Sequence, residues 1–463
     1  MGRLIKLNLR AFAVLMFLSF SAFAQSKIEG NNNALGLAYK LDAYLVSATD
    51  AYKFNGSALV AKNGEIIFHK AYGWKDAVSK STNDTATHFP ILSITKSFTA
   101  VVLLKLVEQG KLSLQDNLTK FLPDYPQGGK IKVEHLLTHS SGIYNYTNDI
   151  DEADSAVVNH PVSRQKVLDI FYSKPLEFKP GKGFSYNNSG YYLAGLVIEK
   201  ATGKSFEQNV RELILEPLDM SNSGFDFQAL PAGVKATGYQ FLSEKEQKPY
   251  AFLHNTVSFS AASIYSTTGD LFKWTEAIAQ GKLLSTDTWN EAFTAKNNGY
   301  GHGFQMANFG NRNFIKSAGG YPGYVSEIVY YPEEKVTIIL LKNVGNYGQS
   351  LWPITMGLSN IVFQSPYDLW LPRKDLKLSE EVLRRNEGSY GTNKFRFNFT
   401  VQNGQLHTTI GGIGSLRLLA ESEDIFLLDD FNTQFRFVKG SDGKVEKLII
   451  HEHGKDFELK KAK

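Results

Sequence analysis

Hydrophobic and polar positions along the chain follow two periods, and the order in which they alternate predicts the architecture. Apolar residues recur with helical spacing in 34–51, 189–200, 206–215, 268–279 and 351–363. Strand-like runs occupy 56–62 and 65–70, with Asn63-Gly64 between them, and return between 304 and 342. An Asn-Gly pair in that setting is typical of a two-residue hairpin. The pattern predicts a sheet that takes strands from both ends of this region and is covered by helices.

A change of pattern near residues 365–373 predicts a second domain. From about residue 378 the chain consists of short strand-like runs separated by turn residues such as Asn403-Gly404 and Asp442-Gly443. Regularly spaced short strands are typical of a small all-β barrel or sandwich. We therefore expect a first domain over residues 25–372 and a small β-barrel domain over 378–463.

The N-terminus has the features of a secretory signal peptide over residues 1–24. Arg3, Lys6 and Arg10 precede an apolar run at 11–20, and Ala22-Phe23-Ala24 forms a small-residue cleavage site. The apolar run is too short to span a bilayer, so we expect cleavage rather than a retained anchor. The predicted location is the periplasm or the medium.

Charge and cysteine content narrow the possible partners. The formal net charge of +4 falls to about +1 when the three cations of the signal are removed (4 − 3 = 1), which argues against nucleic acid or an anionic membrane as partner. The chain has no cysteine, so it has no disulfide, no catalytic thiol and no cysteine to carry a lipid anchor. A small molecule or a peptide remains as the expected substrate, and the oligomeric state stays open.

The strongest candidate for a reactive centre is Ser93 with Lys96, in an apolar run that follows Pro90. Residues three apart share one face of a helix, and a desolvated lysine can lose its proton and act as a base. The same Ser-x-x-Lys triplet occurs at Ser163 and Ser441, in segments that we interpret as solvated. The triplet alone is therefore weak, and it needs support from elsewhere in the chain.

Two further segments supply that support. Tyr186 and Asn188 lie in a glycine-rich loop that enters a predicted helix, where the phenol can act as a base and the amide can bind a carbonyl. Ser317-Ala318-Gly319-Gly320 leads a glycine-rich strand end whose backbone N–H groups can line an oxyanion hole. Taken alone, the second segment is equally compatible with a tight turn between strands.

Together these segments resemble the serine β-lactamase-like family, which includes class C β-lactamases, penicillin-binding D-Ala-D-Ala peptidases, D-aminopeptidases and esterases. The resemblance covers about residues 40–360 and includes His135-Leu136-Leu137-Thr138-His139-Ser140-Ser141-Gly142. It implies an α/β (α+β) fold with an antiparallel sheet flanked by helices and a helical subdomain. The region after residue 378 resembles the lipocalin-like domain that some members append.

The resemblance also implies roles for individual residues. Ser93 matches the acylated nucleophile, Lys96 its proton partner and Tyr186 the second base. Asn188 matches a substrate ligand, and the N–H groups of Ser93 and Gly320 match the oxyanion hole. The segment Ser317-Ala318-Gly319 departs from the family pattern. Relatives have Lys or His at the position of Ser317. Loss of that cation argues against efficient action on substrates held by a carboxylate clamp.

The remaining candidates carry weaker predictions. Tyr144 either lines the substrate cleft or packs in the ordinary way. His135 and His139 are four apart but lack the Glu that zinc proteases place after the first His, so we expect no metal there, and we interpret His302 as structural. No metal or organic cofactor is implied.

The sequence thus predicts an exported serine hydrolase that acts through an acyl-enzyme on an amide or ester. The substrate classes left open are a peptidoglycan or D-amino-acid peptide, a β-lactam and a small ester. The alternative, prompted by Ser317, is a catalytically weak penicillin-recognising relative that binds its ligand without turnover.

Overall fold

The computed structural model describes residues 36–150, 160–345, 350–371, 375–392, 396–410 and 413–462. These residues fall into two compact units, a larger one that contains residues 41–359 and a smaller one that contains 375–462. The predicted signal peptide, residues 1–24, lies outside the described residues. None of the helices within the described ranges has the length and apolar character that a bilayer span requires.

Helices of the described chain are short to medium in length, and most begin at a polar cap. They are α1 (Leu37–Asp50), α2 (Thr95–Glu108), α3 (Val133–Leu137), α4 (Arg164–Phe171), α5 (Asn188–Thr202), α6 (Phe206–Val210), α7 (Asn255–Ala262), α8 (Thr268–Ala279), α9 (Thr286–Ala292), α10 (Trp352–Val362) and α11 (Glu380–Arg385).

The larger unit is built on a six-stranded antiparallel sheet with the order β2-β1-β12-β11-β10-β9. Its strands and the short pairs beside it are β1 (Gly56–Lys62), β2 (Glu65–Tyr72), β3 (Trp74–Asp76), β4 (Ser81–Thr82), β5 (Phe89–Pro90), β6 (Tyr239–Leu242), β7 (Gln247–Pro249), β8 (Tyr265–Ser266), β9 (Gln305–Phe309), β10 (Arg312–Tyr321), β11 (Tyr324–Tyr331) and β12 (Val336–Lys342).

The predicted hairpin and the predicted origin of the sheet are both confirmed. Asn63 (φ 55°) and Gly64 (φ 78°) form the turn between β1 and β2, as the left-handed positions of an Asn-Gly hairpin require. Strand β1 pairs with β12 in a register that sets Gly56 opposite Lys342. The central strands therefore come from the two ends of the region, as the order of the elements predicts.

Helices cover both faces of this sheet. On one face α10 packs against it, with the Trp352 ring 5.1 Å from that of Phe314. On the other face α8 contacts β1 through Ser57 and Thr268, whose hydroxyls are 3.0 Å apart. Helix α2 lies in the same core as this second face and is buried on almost every side. The antiparallel sheet flanked by helices is thus the fold class that the sequence predicts.

The smaller unit is all-β apart from α11, a helix that the sequence analysis did not predict and that Ser379 caps. Its strands are β13 (Gly388–Gly391), β14 (Arg396–Gln402), β15 (Gln405–Ile410), β16 (Ile413–Arg417), β17 (Leu419–Ala420), β18 (Ile425–Leu428), β19 (Thr433–Lys439), β20 (Val445–Glu452) and β21 (Lys455–Lys460).

The described strands of this unit form two antiparallel sheets, β13–β16 and β17–β21, rather than the closed barrel that was expected. The chain passes from one sheet to the other at Leu418, whose N–H bonds the carbonyl oxygen of Leu406 in β15, whereas the next two residues pair with β18. Aromatic residues from both sheets share one core, including Phe399 and Phe435 at 5.3 Å.

Candidate active site

Ser93 lies in a single 3-10 turn, Leu92–Ile94, immediately before α2. The preceding segment is anchored on both sides. The N–H of Ile91 bonds the carbonyl oxygen of Ile264 at 2.9 Å, and the Ile91 carbonyl accepts from the Ser326 hydroxyl at 2.7 Å. Leu92 has a φ of 54°, a strained value for this residue type of the kind that occurs at functional sites. The turn leaves Ser93 partly exposed at the mouth of a cleft.

The Lys96 amine sits beside the Ser93 hydroxyl and is removed from water. Its Nζ donates to Ser93 Oγ at 2.9 Å and to the Ala261 carbonyl oxygen at 3.0 Å. The residue is only 1% exposed, and burial lowers the pKa of Lys96 from its usual value to about 7. Because desolvation disfavours the ammonium, the amine loses its proton far more readily than a surface lysine does.

A strained segment of α7 brings the Ala261 carbonyl to Lys96. Phe259 has φ 38° and ψ −135° inside this helix, which interrupts its regular geometry. The next carbonyl, that of Ser260, accepts from the Thr99 hydroxyl of α2 at 2.7 Å. Gly195 permits this approach, since a Cβ there would lie 2.1 Å from Ser260 Oγ. Sequence reasoning missed the contact, because a backbone carbonyl leaves no signal in the residue pattern.

Tyr186 approaches Ser93 from the loop that precedes α5. Asn187 caps that helix by accepting from the N–H of Gly190 at 2.8 Å, which fixes the loop. Tyr186 is 42% exposed as a whole residue, but protein atoms surround its hydroxyl. Desolvation of the hydroxyl raises the pKa of Tyr186 to about 12, and a hydrogen bond with Ser93 lowers that pKa by a smaller amount. The phenol therefore keeps its proton near neutral pH.

An aromatic cluster supports Tyr186 from behind. The ring of His139 lies 4.3 Å from that of Tyr186 and 4.6 Å from that of Tyr300. His139 Nδ1 accepts from the N–H of Asn187 at 3.0 Å, so the imidazole also holds the loop. Burial, with a further contribution from the charge of Lys96, lowers the pKa of His139 well below its usual value. His139 is thus a buried imidazole that is hydrogen-bonded through Nδ1.

Tyr300 is a member of this cluster that sequence reasoning did not single out. Its hydroxyl interacts with that of Tyr191, which in turn donates to the Leu137 carbonyl oxygen at 2.7 Å. Tyr300 precedes Gly301-His302-Gly303. This loop packs against α2 because Gly303 has no side chain: a Cβ at Gly303 would lie 3.1 Å from the Lys96 carbonyl oxygen. The loop thus contacts the catalytic helix directly.

The glycine-rich end of β10 lies against the Ser93 turn. A Cβ at Gly319 would be 2.6 Å from the backbone nitrogen of Ser93, so only glycine allows the two backbones to approach. Strand β9 pairs with β10 no further than Lys316, and β11 alone pairs with residues 317–321 among the described strands. No other described strand pairs with the second edge of residues 317–320, and Gly320 lines the cleft there.

Ser93 lines two adjacent cavities. The first has a volume of about 150 Å³, the second about 250 Å³. Asn188 and Gly320 line the first, together with apolar and hydroxyl side chains, whereas Tyr186 and Ser317 line the second. Among the described residues that line them, the one charged residue is Lys316 in the second cavity.

Lys316 does not replace the cation that Ser317 lacks. Its ammonium pairs with Glu327 at 2.6 Å and lies 4.5 Å from the centre of the Trp352 ring, under α10. Residues 316 and 317 alternate between the two faces of β10, and the Lys316 side chain takes the face away from Ser93. The second cavity is therefore left with neutral side chains around Ser317.

Tyr144 lies apart from the lining of both cavities. Its hydroxyl donates to Asp149 at 2.6 Å, and its ring lies 3.8 Å from the Lys174 ammonium. Tyr146, two residues further on, lines the first cavity instead. The Asn188 amide donates to Thr147 Oγ1 at 3.1 Å, and the residue lines the first cavity.

Comparisons with known proteins point to one family. A family model described as Beta-lactamase matches residues 41–351. Penicillin-binding protein 4* of Bacillus subtilis is 28% identical over 445 residues, covering 89% of this chain and 96% of the relative. The teichoic acid D-alanine hydrolase of Staphylococcus aureus is 29% identical over 339 residues, covering 70% and 78%. The octameric penicillin-binding protein homologue from Pyrococcus abyssi has a TM-score of 0.65 at 26% identity and covers 91% and 99%.

The close approach of Gly319 to Ser93 generates a testable prediction. Gly319→Ala adds a methyl group that forces the Ser93 turn out of place, and displacements of about 1 Å at a reactive group cost roughly 100-fold in rate. We expect labelling of Ser93 by a fluorophosphonate to slow by about that factor. Gly129→Ala is the matched control, since nothing lies within 4 Å of its added Cβ. Equal labelling rates in the two variants would contradict the close packing.

Proposed function

The chain belongs to the Beta-lactamase family, and from that premise we propose that it is an exported serine hydrolase acting through an acyl-enzyme on neutral esters or amides. The observation that carries the proposal is the contact of the Lys96 amine with the Ser93 hydroxyl at 2.9 Å. That amine is desolvated, with a pKa of about 7, so it can accept the proton that Ser93 loses on attack.

The pKa shifts divide the proton transfers between two residues. Burial lowers the pKa of Lys96 to about 7 and raises that of Tyr186 to about 12. Groups with pKa values pushed in opposite directions are suited to act as base and acid. In our proposal neutral Lys96 takes the proton of Ser93 as the Oγ–carbonyl carbon bond forms, and the Tyr186 phenol gives a proton to the leaving group as its bond to that carbon breaks.

The oxyanion formed in each step is assigned to backbone donors. We assign it to the N–H groups of Ser93 and Gly320, which belong to segments in direct contact. Preorganised N–H donors in such a position stabilise the charge that develops on the carbonyl oxygen. Water then attacks the ester of Ser93 and releases the acid, and one proton of the water returns to the serine oxygen. Transfer of the proton held by Lys96 to the Tyr186 phenolate restores both residues and completes one turnover.

The lining of the two cavities supports a small acyl group and a leaving group that carries no carboxylate. The first cavity is uncharged and about 150 Å³, which suits a short acyl chain, with Asn188 placed to bind a carbonyl or amine. The second carries Ser317 where family members that clamp a carboxylate have a cation. Esters and amides of D-alanine therefore come first as test substrates, in line with the name of the staphylococcal relative.

The cellular setting belongs to the same proposal. Residues 1–24 have the composition of a signal peptide, and the expected location is the periplasm or the medium. The C-terminal β unit is proposed as a lipocalin-like appended domain, and its strands after residue 387 support that assignment.

Labelling of the nucleophile tests the proposal. A fluorophosphonate or penicillin probe is expected to modify Ser93, and Ser93→Ala should abolish labelling while leaving the melting temperature nearly unchanged. Ser441→Ala is the matched control, because it removes the serine of another Ser-x-x-Lys triplet at an exposed turn. Peptide mapping by mass spectrometry locates the label.

The outcomes separate the two candidate functions. Labelling at Ser93 together with turnover of a D-alanyl ester or amide supports the hydrolase. Labelling without turnover across a substrate panel favours the penicillin-recognising binder. Labelling at another residue, or none in a folded protein, contradicts both.

The missing cation generates a prediction about specificity. Ser317→Lys places an ammonium in the second cavity, and a charge-assisted hydrogen bond is worth about 1.5–3 kcal/mol. We expect kcat/KM for carboxylate-bearing substrates to rise by about tenfold relative to the corresponding amides. Ser441→Lys adds the same charge at an exposed turn of the smaller unit and should leave the ratio unchanged. An unchanged ratio in Ser317→Lys would show that this position does not select against carboxylates.

A further inference from the structure

Three side chains that the proposed mechanism does not use converge behind the active site. Glu134 of α3, Glu291 of α9 and His302 of the loop before β9 each offer a ligand atom, and these atoms all lie within 4.8 Å of one another. His302 Nε2 and Glu134 Oε1 are 3.7 Å apart, beyond the length of a hydrogen bond. The arrangement brings two carboxylates and one imidazole to a common point.

The imidazole of His302 is the unusual member of this cluster. It is 0% exposed, yet neither of its ring nitrogens has a hydrogen-bond partner. Buried polar atoms are nearly always satisfied, and leaving one unsatisfied costs about 1–3 kcal/mol. The buried imidazole has a ring nitrogen directed toward two carboxylates, which is the orientation of a metal ligand.

Lys296 is the positive charge that the described residues supply to this point. Its ammonium lies 3.2 Å from Glu291 and 3.7 Å from Glu134. The side chain is 32% exposed, so it can swing into solvent. The other oxygen of Glu134 accepts from Gln115 at 2.9 Å, which fixes the carboxylate with one oxygen directed to His302. A divalent cation would therefore compete with Lys296 for two oriented carboxylates.

We propose that Glu134, Glu291 and His302 form a Zn²⁺ site with three protein ligands. Ligands about 2.0–2.2 Å from a tetrahedral Zn²⁺ are roughly 3.4 Å from each other, so the 3.7 Å between Glu134 and His302 needs little adjustment. One imidazole and two carboxylates form a donor set that suits Zn²⁺ better than Ca²⁺ or Mg²⁺, which prefer oxygen alone. A water molecule completes the coordination. This assignment departs from the sequence-based expectation of no metal.

The position of the site gives it a function distinct from the chemistry at Ser93. It joins α3, α9 and the loop that carries Tyr300, whose ring packs in the cluster beneath Tyr186. The same loop touches α2 at the Lys96 carbonyl oxygen through Gly303. Zinc would fasten this loop to two helices, and we expect it to stabilise the fold around the active site without touching the substrate.

Equilibrium dialysis of the full chain against ZnCl₂, with bound metal counted by mass spectrometry, tests the site. The wild type should bind one more equivalent than Glu291→Gln, a change at a half-exposed side chain that leaves the fold intact. His302→Gln should lose the same equivalent, and zinc should raise the melting temperature of the wild type but of neither variant. Glu207→Gln is the matched control, since Glu207 forms an exposed ion pair with Arg211.

Lys296→Met distinguishes a cation site from a cluster that simply pairs with lysine. Removing the competing ammonium should tighten zinc binding by about fivefold, because partly exposed ion pairs such as those of Lys296 are weak. The proposal is overturned if the wild type and Glu291→Gln bind equal amounts of zinc, or if Lys296→Met binds it no more tightly. Activity at Ser93 does not enter the readout, so loss of the proposed hydrolase function would leave this test unaffected.

Discussion

Burial of a single amine against a serine hydroxyl is the constraint on which the site depends. An ammonium inside a protein is stable only if its charge is compensated, and the Lys96 amine donates to the neutral Ser93 hydroxyl and to the Ala261 carbonyl oxygen. Lys96 is therefore held where its neutral form is favoured. Desolvation also keeps the proton on Tyr186. Burial therefore lowers the pKa of the base, Lys96, and raises the pKa of the acid, Tyr186.

Holding these groups together requires backbone that is strained or unusually close. Leu92 before the nucleophile and Phe259 beside the Lys96 acceptor both have positive φ, and Gly319 is present because a Cβ would strike Ser93. Such strain persists only where surrounding structure fixes it. Here the apolar helix α2 and the six-stranded sheet provide that structure. The core of this unit therefore holds the polar atoms of Ser93, Lys96 and Tyr186 in position.

Sequence reasoning predicted the parts of this site that follow from local pattern. Ser93 and Lys96 share a helical turn, and Tyr186 sits in a loop whose glycines and following helix are visible in the residues. Tyr300 and the Ala261 carbonyl were missed, because their positions follow from the packing of distant segments. The same limit explains the tail. Short, regularly spaced strands predicted an all-β unit, but its division into two sheets follows from contacts between distant segments, such as the hydrogen bond of Leu418 with Leu406.

The central claim is that burial lowers the pKa of Lys96 far enough for a substantial fraction of its amine to be neutral at physiological pH, and direct titration of that amine tests this. Lysine labelled with ¹³C at the ε carbon gives one resonance per side chain, and Lys96→Arg identifies the signal of Lys96 by its loss. The account predicts a midpoint near pH 7 for that signal, while exposed lysines titrate near their usual value of about 10.4. A Lys96 midpoint in that same high range would contradict the desolvated base and the mechanism built on it.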